Sequence, residues 1–303
     1  MSALPVASND QRTRRKPLLA AACMVIFSAL IAATTLMAKT LGNSTIDVST
    51  LHPFQISAGR FFFAWLILLP VVLWKREKFS EAAWKIHIGR SFSGWAGISC
   101  LFTAAALMPL ADATAISFLN PIITMLLAIP FLGERIGPWR WIASTIALVG
   151  GLILIRPGSD TFQPAALIAL TAAFFIGLEV VFIKKLTGRE RPLQILFINN
   201  TIGATIAITF ASQTWVSPSL VQWITLAAIG CVMVLAQILF ITALRCADAS
   251  FAIPFCYGTL VFAAIFDFLV FNVVPLAISS LGALLVVCSA LVLVWREGRH
   301  VGD

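Results

Sequence analysis

Charge is scarce in this chain. Of its 303 residues only 11% are Asp, Glu, Lys or Arg, against about 25% in a soluble domain. Too few polar side chains remain to cover a water-facing surface, so lipid has to cover the outside instead. Histidine is sparse too: His52, His87 and His300 all fall outside the long apolar runs. The H-E-x-x-H, G-x-S-x-G and G-x-x-x-x-G-K-[ST] patterns are absent, which argues against zinc-peptidase and serine-hydrolase chemistry and direct use of ATP. Six cysteines (Cys23, Cys100, Cys231, Cys246, Cys256 and Cys288) show no C-x-x-C spacing. They read as small hydrophobes rather than metal or redox groups. No cofactor and no metal is expected. The net charge of +8 does not signal nucleic acid, because the basic residues sit at the ends of apolar runs and form no stripe interleaved with aromatics. Anionic lipid headgroups are their natural partner.

What the chain has in abundance is long apolar runs. Ten candidates of spanning length follow one another at 18–38, 54–74, 91–108, 113–132, 139–155, 164–183, 193–211, 219–244, 249–271 and 276–295. The first has 21 residues, about 31 Å as a helix, which is too long for a secretory signal and long enough to span. Placing the N-terminus inside puts 18 of the 21 basic residues at inner ends. The groups are Arg12–Lys16, Lys75–Arg90, Arg135 with Arg140, Lys184–Arg191, Arg245, and Arg296 with Arg299. Nine or eleven spans would destroy this partition, so it supports the count and the orientation together. Both termini are therefore expected in the cytoplasm. The stretch Lys75–Arg90, with Phe79 and Trp84 among charges, reads as amphipathic and lying on the inner membrane surface.

The chain also repeats itself. Ala111-Asp112-Ala113 matches Ala247-Asp248-Ala249, Phe131-Leu132-Gly133-Glu134 corresponds to Val270-Phe271-Asn272-Val273, and Gly150–Ile155 corresponds to Ser289–Val294. Each half holds five spans, an odd number, so the halves run through the membrane in opposite senses, as in many secondary transporters. The fold expected is all-α and integral to the membrane: ten helices as two inverted five-helix repeats. A cytoplasmic tail over 1–17 precedes a first repeat over 18–156, followed by a second over 157–297 and a tail over 298–303.

Several stretches resemble the drug/metabolite transporter superfamily in its EamA-type, ten-helix bacterial branch. They are Pro109–Ile116, Asn120-Pro121, Phe131–Arg135, Arg156-Pro157-Gly158, Pro254–Tyr257 and Phe262-Ala263-Ala264, with Phe27-Ser28, Lys39 and Arg60. The chain departs from that pattern at Asn272-Val273, where a second Gly-Glu is common, and at Asp267, where a small residue is usual. The resemblance implies an inner-membrane carrier with a central cavity between its halves, working by alternating access. Export of aromatic or neutral amino acids is the favoured activity; uptake of adenosylmethionine or riboflavin-like compounds is the alternative. A second class, an intramembrane lipid-modifying enzyme with Asp267 and Glu179 as acid and base, is disfavoured because the two lie near opposite faces. The partners expected are a small-molecule substrate and membrane lipid. A monomer is expected, a dimer being the other reading of the small-residue faces Ala143-Ala147-Gly151 and Gly203-Ala207-Ala211.

Ionisable groups inside the hydrocarbon are costly, about 2.5–3.5 kcal/mol or more each, so those present are candidates for function. Arg60 meets a substrate carboxylate, reaches the outer interface or pairs with Asp267. Glu179 couples protons or recognises a cation, or pairs with Lys184 and Lys185. Asp267 is a candidate outer gate. Polar and aromatic faces supply the expected binding residues: Thr35 on helix 1, Trp95 and Phe102 on helix 3, Ser117, Asn120 and Thr124 on helix 4, Gln237 on helix 8 and Tyr257 on helix 9. The same pattern also fits interhelical packing and hydrogen bonding. Asn199 and Asn200 are weaker candidates, and Glu134 reads as a structural tie at its helix turn.

Overall fold

The computed structural model describes residues 16–42, 50–75, 81–107, 116–155, 164–271 and 277–300. The chain is a bundle of membrane helices: α1 (Pro17–Gly42), α2 (Pro53–Lys75), α3 (Trp84–Leu107), α4 (Asn120–Leu132), α5 (Pro138–Ile155), α6 (Pro164–Thr187), α7 (Pro192–Ala211) and α8 (Leu220–Cys246). The ninth span is built from α9 (Ala249–Ala252), a 3-10 turn (Ile253–Tyr257) and α10 (Gly258–Phe271), and α11 (Ala277–His300) is the tenth. Among the described residues, six stretches are long and apolar enough to cross a bilayer on length and hydropathy alone. Five of the helices begin on proline, whose fixed φ suits the first helical position and whose missing N–H is an orphan there anyway. Ser219 and Gln222 close a reciprocal capping box at the start of α8, and α4 ends on Gly133 at φ 68°, a left-handed conformation glycine adopts at little cost.

Two expectations need correction. The stretch before α3 does not form a separate surface helix through Arg90, because α3 starts at Trp84 and continues unbroken, taking Lys85, His87 and Arg90 with it. Arg90 is 2% exposed. The fourth and ninth spans are also broken rather than continuous. Residues 118–119 form a turn ahead of Asn120-Pro121, and the ninth span narrows to 3-10 geometry around Pro254. A proline ring displaces the carbonyl one turn earlier, so helix geometry changes where it enters. The two breaks meet. Tyr257 donates its hydroxyl to the Phe118 carbonyl at 2.7 Å, and the rings lie 6.0 Å apart.

Packing follows the repeat. α3 lies along α6 and α1 along α8, while α2 pairs with α7 and α5 with α11. Exchanging first-half helices for their second-half counterparts turns the α3–α6 pair into α8–α1 and maps the other two pairs onto themselves. That is the signature of two inverted halves.

The clusters of Lys and Arg gather at one end of the bundle, here termed the basic end, where the polar contacts are dense. Glu134, just past α4, accepts from the Ala249 and Ser250 amides (2.8 and 3.0 Å) and from the Ser250 hydroxyl (2.6 Å). Arg140 donates to Ser250 at 2.7 Å and pairs with Asp248 at 3.2 Å. Lys184 donates to the Leu244 and Ala247 carbonyls. Glu190 holds His87 and the Ala83 amide, each at 2.8 Å. These contacts stitch α3, α4, α5, α6, α8 and α9 together around a core that includes Phe251, Leu186 and Leu244.

Candidate functional site

A cavity of about 470 Å³ lies between the α2–α7 pair and the α3–α6 pair, with α1 and α8 beneath it. The volume is in the range typical of small-molecule sites. Helical periodicity explains its lining. Ser91, Gly94, Trp95 and Ile98 occupy one face of α3, and Phe54, Ser57, Arg60 and Phe61 one face of α2. Asn199, Gly203, Ala207 and Phe210 form the facing stripe of α7. Glu179 comes from α6, and Met233 and Gln237 come from α8. The lining reaches the first turn of α2 and the last turn of α7, at the end opposite the basic clusters. Towards the basic end, α6 continues past Glu179 into the stitched contacts.

The walls are aromatic. Phe54 lies 6.1 Å from Phe210, which stacks on Trp95 at 6.0 Å and 27°. Arg60 lies over the Phe61 ring at 4.2 Å. The charged centre is Glu179, whose carboxylate stands 3.9 Å from Arg90 Nε and also acts on Arg60. Gly94 makes room for it: a methyl there would sit 3.0 Å from the Glu179 carboxyl carbon. Asn200, beside the cavity, donates to Gln237 at 3.3 Å and to the Leu196 carbonyl at 2.8 Å.

Of the residues singled out from sequence, Trp95, Gln237, Arg60 and Glu179 converge on this cavity. Asn199, the weaker candidate, lines it as well. Lys184 is turned to backbone carbonyls, and Arg90 rather than a lysine is the cation beside Glu179. Ser117, Asn120, Thr124 and Tyr257 lie elsewhere, around the meeting of the broken spans. There Asn120 donates to the Ser117 carbonyl at 2.9 Å, and Thr124 to the Asn120 carbonyl at 2.8 Å. Tyr257 is fully buried against Ala147, Leu260 and Val286. Thr35 is exposed and donates to Ile31 one turn back. The side chains of Phe102 and Asp267 lie outside the described residues. Of the small-residue faces, Ala143 and Ala147 are buried in the bundle, whereas Gly203 and Ala207 open onto the cavity. Sequence reasoning missed Phe54, Phe61, Phe210, Ser57 and Ser91. Only their helical register with Arg60 and Trp95 pointed to them.

An inverted ten-helix bundle enclosing a partly polar cavity defines a small-molecule transporter of the multi-pass membrane class. The chain belongs to the EamA-like transporter family, whose model matches twice, at residues 19–156 and 163–295. It is similar to an S-adenosylmethionine uptake transporter of Rickettsia bellii, 29% identical over 268 residues, with 88% of this chain and 90% of the relative covered. A riboflavin transporter of Rhizobium johnstonii is 29% identical over 246 residues (78% and 80% covered). A pseudopaline exporter of Pseudomonas aeruginosa is 29% identical over 206 residues (67% and 72% covered). A solved crystal structure shares the fold at a TM-score of 0.74 and 18% identity, over 93% of this chain and 98% of the other.

Proposed function

We propose that this protein is a secondary carrier of amino-acid-derived metabolites bearing a flat ring, with the α2–α3–α6–α7 cavity as its transport site. One observation carries the reading: a carboxylate, Glu179, shares a cavity with the stacked faces of Trp95 and Phe210. A carboxylate recognises an ammonium or sulfonium group, and aromatic faces take both a planar ring and a cation. Adenosylmethionine combines all three features and is the first substrate to test. The four S-adenosylmethionine uptake transporters among the relatives support that order. Export of aromatic or neutral amino acids, the activity favoured from sequence, is the second reading. The aromatic walls favour it, and an exporter stands among the relatives.

Transport follows by alternating access, the two repeats rocking about the cavity. The boundary between them is placed at 156/157, which the paired family matches support. The basic end faces the cytoplasm of a bacterial inner membrane on this reading, so the cavity reaches towards the outer side. The test is counterflow of labelled adenosylmethionine into proteoliposomes, with unlabelled riboflavin, phenylalanine and methionine as competitors. Saturable, competed counterflow is expected. Lack of counterflow with every one of these compounds would overturn the assignment.

A further inference from the structure

The cavity contains more buried donors than its own acceptors satisfy. Arg60 Nε, Arg90 Nε and Ser91 Oγ are each buried without a hydrogen-bond partner among the described residues. All three sit on the two helices facing each other across the cavity, and Arg60 and Ser91 line it directly. Among the described lining residues Glu179 supplies the one carboxylate, and at 3.9 Å from Arg90 it gives charge compensation without a close hydrogen bond. Arg90 also donates to the Ile195 carbonyl at 3.4 Å, so it is anchored in the wall, whereas Arg60 rests on a phenyl face. Among the described residues, two guanidinium groups against one carboxylate leave this set one positive charge in excess. Buried polar groups are almost always satisfied, and an arginine left open at a cavity wall is matched by whatever the cavity receives.

We propose that Arg60 and Ser91 form an oxyanion subsite for a carboxylate of the transported molecule, with Arg90 fixed behind as counter-ion to Glu179. The proposal rests on the reading of this cavity as the transport site and narrows its substrate class. The cargo carries a free carboxylate, and esters, amides and decarboxylated analogues are poor substrates. Guanidinium presents a planar fork to a carboxylate and loses that geometry when replaced by lysine. Glu179, which lines the same cavity from α6, takes the cationic end. A zwitterion is thereby held at both charges, with its ring against Trp95.

Two neutral and charged probes of nearly the same shape separate the subsite from the transport assignment. Purified protein is titrated with indole-3-acetate and with indole-3-acetamide, and binding is read by protection against thermal unfolding. The carboxylate should bind at least about tenfold more tightly, as a charge-assisted hydrogen bond implies. The preference should vanish in Arg60→Gln, shrink in Arg60→Lys and fall by about threefold in Ser91→Ala. Should Arg60→Gln fail to fold, the wild-type preference and the Ser91→Ala change still decide the matter. Equal binding of acid and amide by the wild type, or a preference unchanged in the variants, would overturn the subsite even if adenosylmethionine counterflow were observed. A clear acid preference without any counterflow would leave the subsite standing and remove the transport assignment.

Discussion

The basic end and the cavity are built from the same kinds of side chain and treat them in opposite ways. At the basic end the carboxylates of Glu134 and Glu190 are hydrogen-bonded through both oxygens. In the cavity, among the described residues, Glu179 touches no donor closely, and Arg60 and Ser91 have buried atoms left unmet. A buried polar group without a partner is destabilising by about 1–3 kcal/mol. The difference teaches that carboxylates bonded through both oxygens tie the helices together at one end, where His87 Nδ1 is the buried atom still unmet, while on the proposed reading the unmet donors of the cavity are those that cargo would meet.

Breaking the satisfied end should give the largest effect. Glu134→Ala strips acceptors from two amides and a hydroxyl at the start of the ninth span. It is expected to lower stability by about 2–4 kcal/mol, measured as a fall in thermal midpoint in detergent; an unchanged midpoint would remove the latch from the account. The next effect sharpens the cavity. Gly94→Ala pushes a methyl against the Glu179 carboxyl and should raise KM for a cationic substrate about tenfold with a smaller change in kcat. If it acts through that carboxylate, Gly94→Ala adds nothing in a Glu179→Gln background. Trp95→Ala should weaken binding by about 1 kcal/mol while Trp95→Phe retains most of it, in keeping with stacking. The smallest effects are expected at the broken spans: Thr124→Val should change transport by less than about twofold, since its hydroxyl bonds its own helix. A tenfold loss there would move the site to the contact between α4 and the 3-10 turn.

The fold was readable because its causes are periodic and repeated. Apolar runs of spanning length, basic clusters at alternate ends and the matched Ala-Asp-Ala turns together define ten spans and two inverted halves. The breaks in the fourth and ninth spans were less visible, since Pro121 and Pro254 announce a disturbance but not its geometry. The site was legible where a residue is expensive in lipid: Arg60 and Glu179 stand out on cost alone. Phenylalanine carries no such mark, because Phe54 or Phe210 facing a cavity looks like phenylalanine facing lipid. The polar stripe of the fourth span lies away from this cavity. Thr124 and Asn120 donate to backbone carbonyls one turn back, a packing role that their polarity fits equally well. Arg90 was counted among interfacial charges from its position near a helix start, yet α3 carries it inward and buries it beside Glu179.

A structure of the carrier with adenosylmethionine or indole-3-acetate bound tests the central assignment most directly. The ligand is predicted between α2, α3, α6 and α7, its carboxylate at Arg60 and Ser91 and its ring against Trp95. Ligand seated instead among Asn120, Thr124 and Tyr257, with Arg60 and Glu179 untouched, would contradict it.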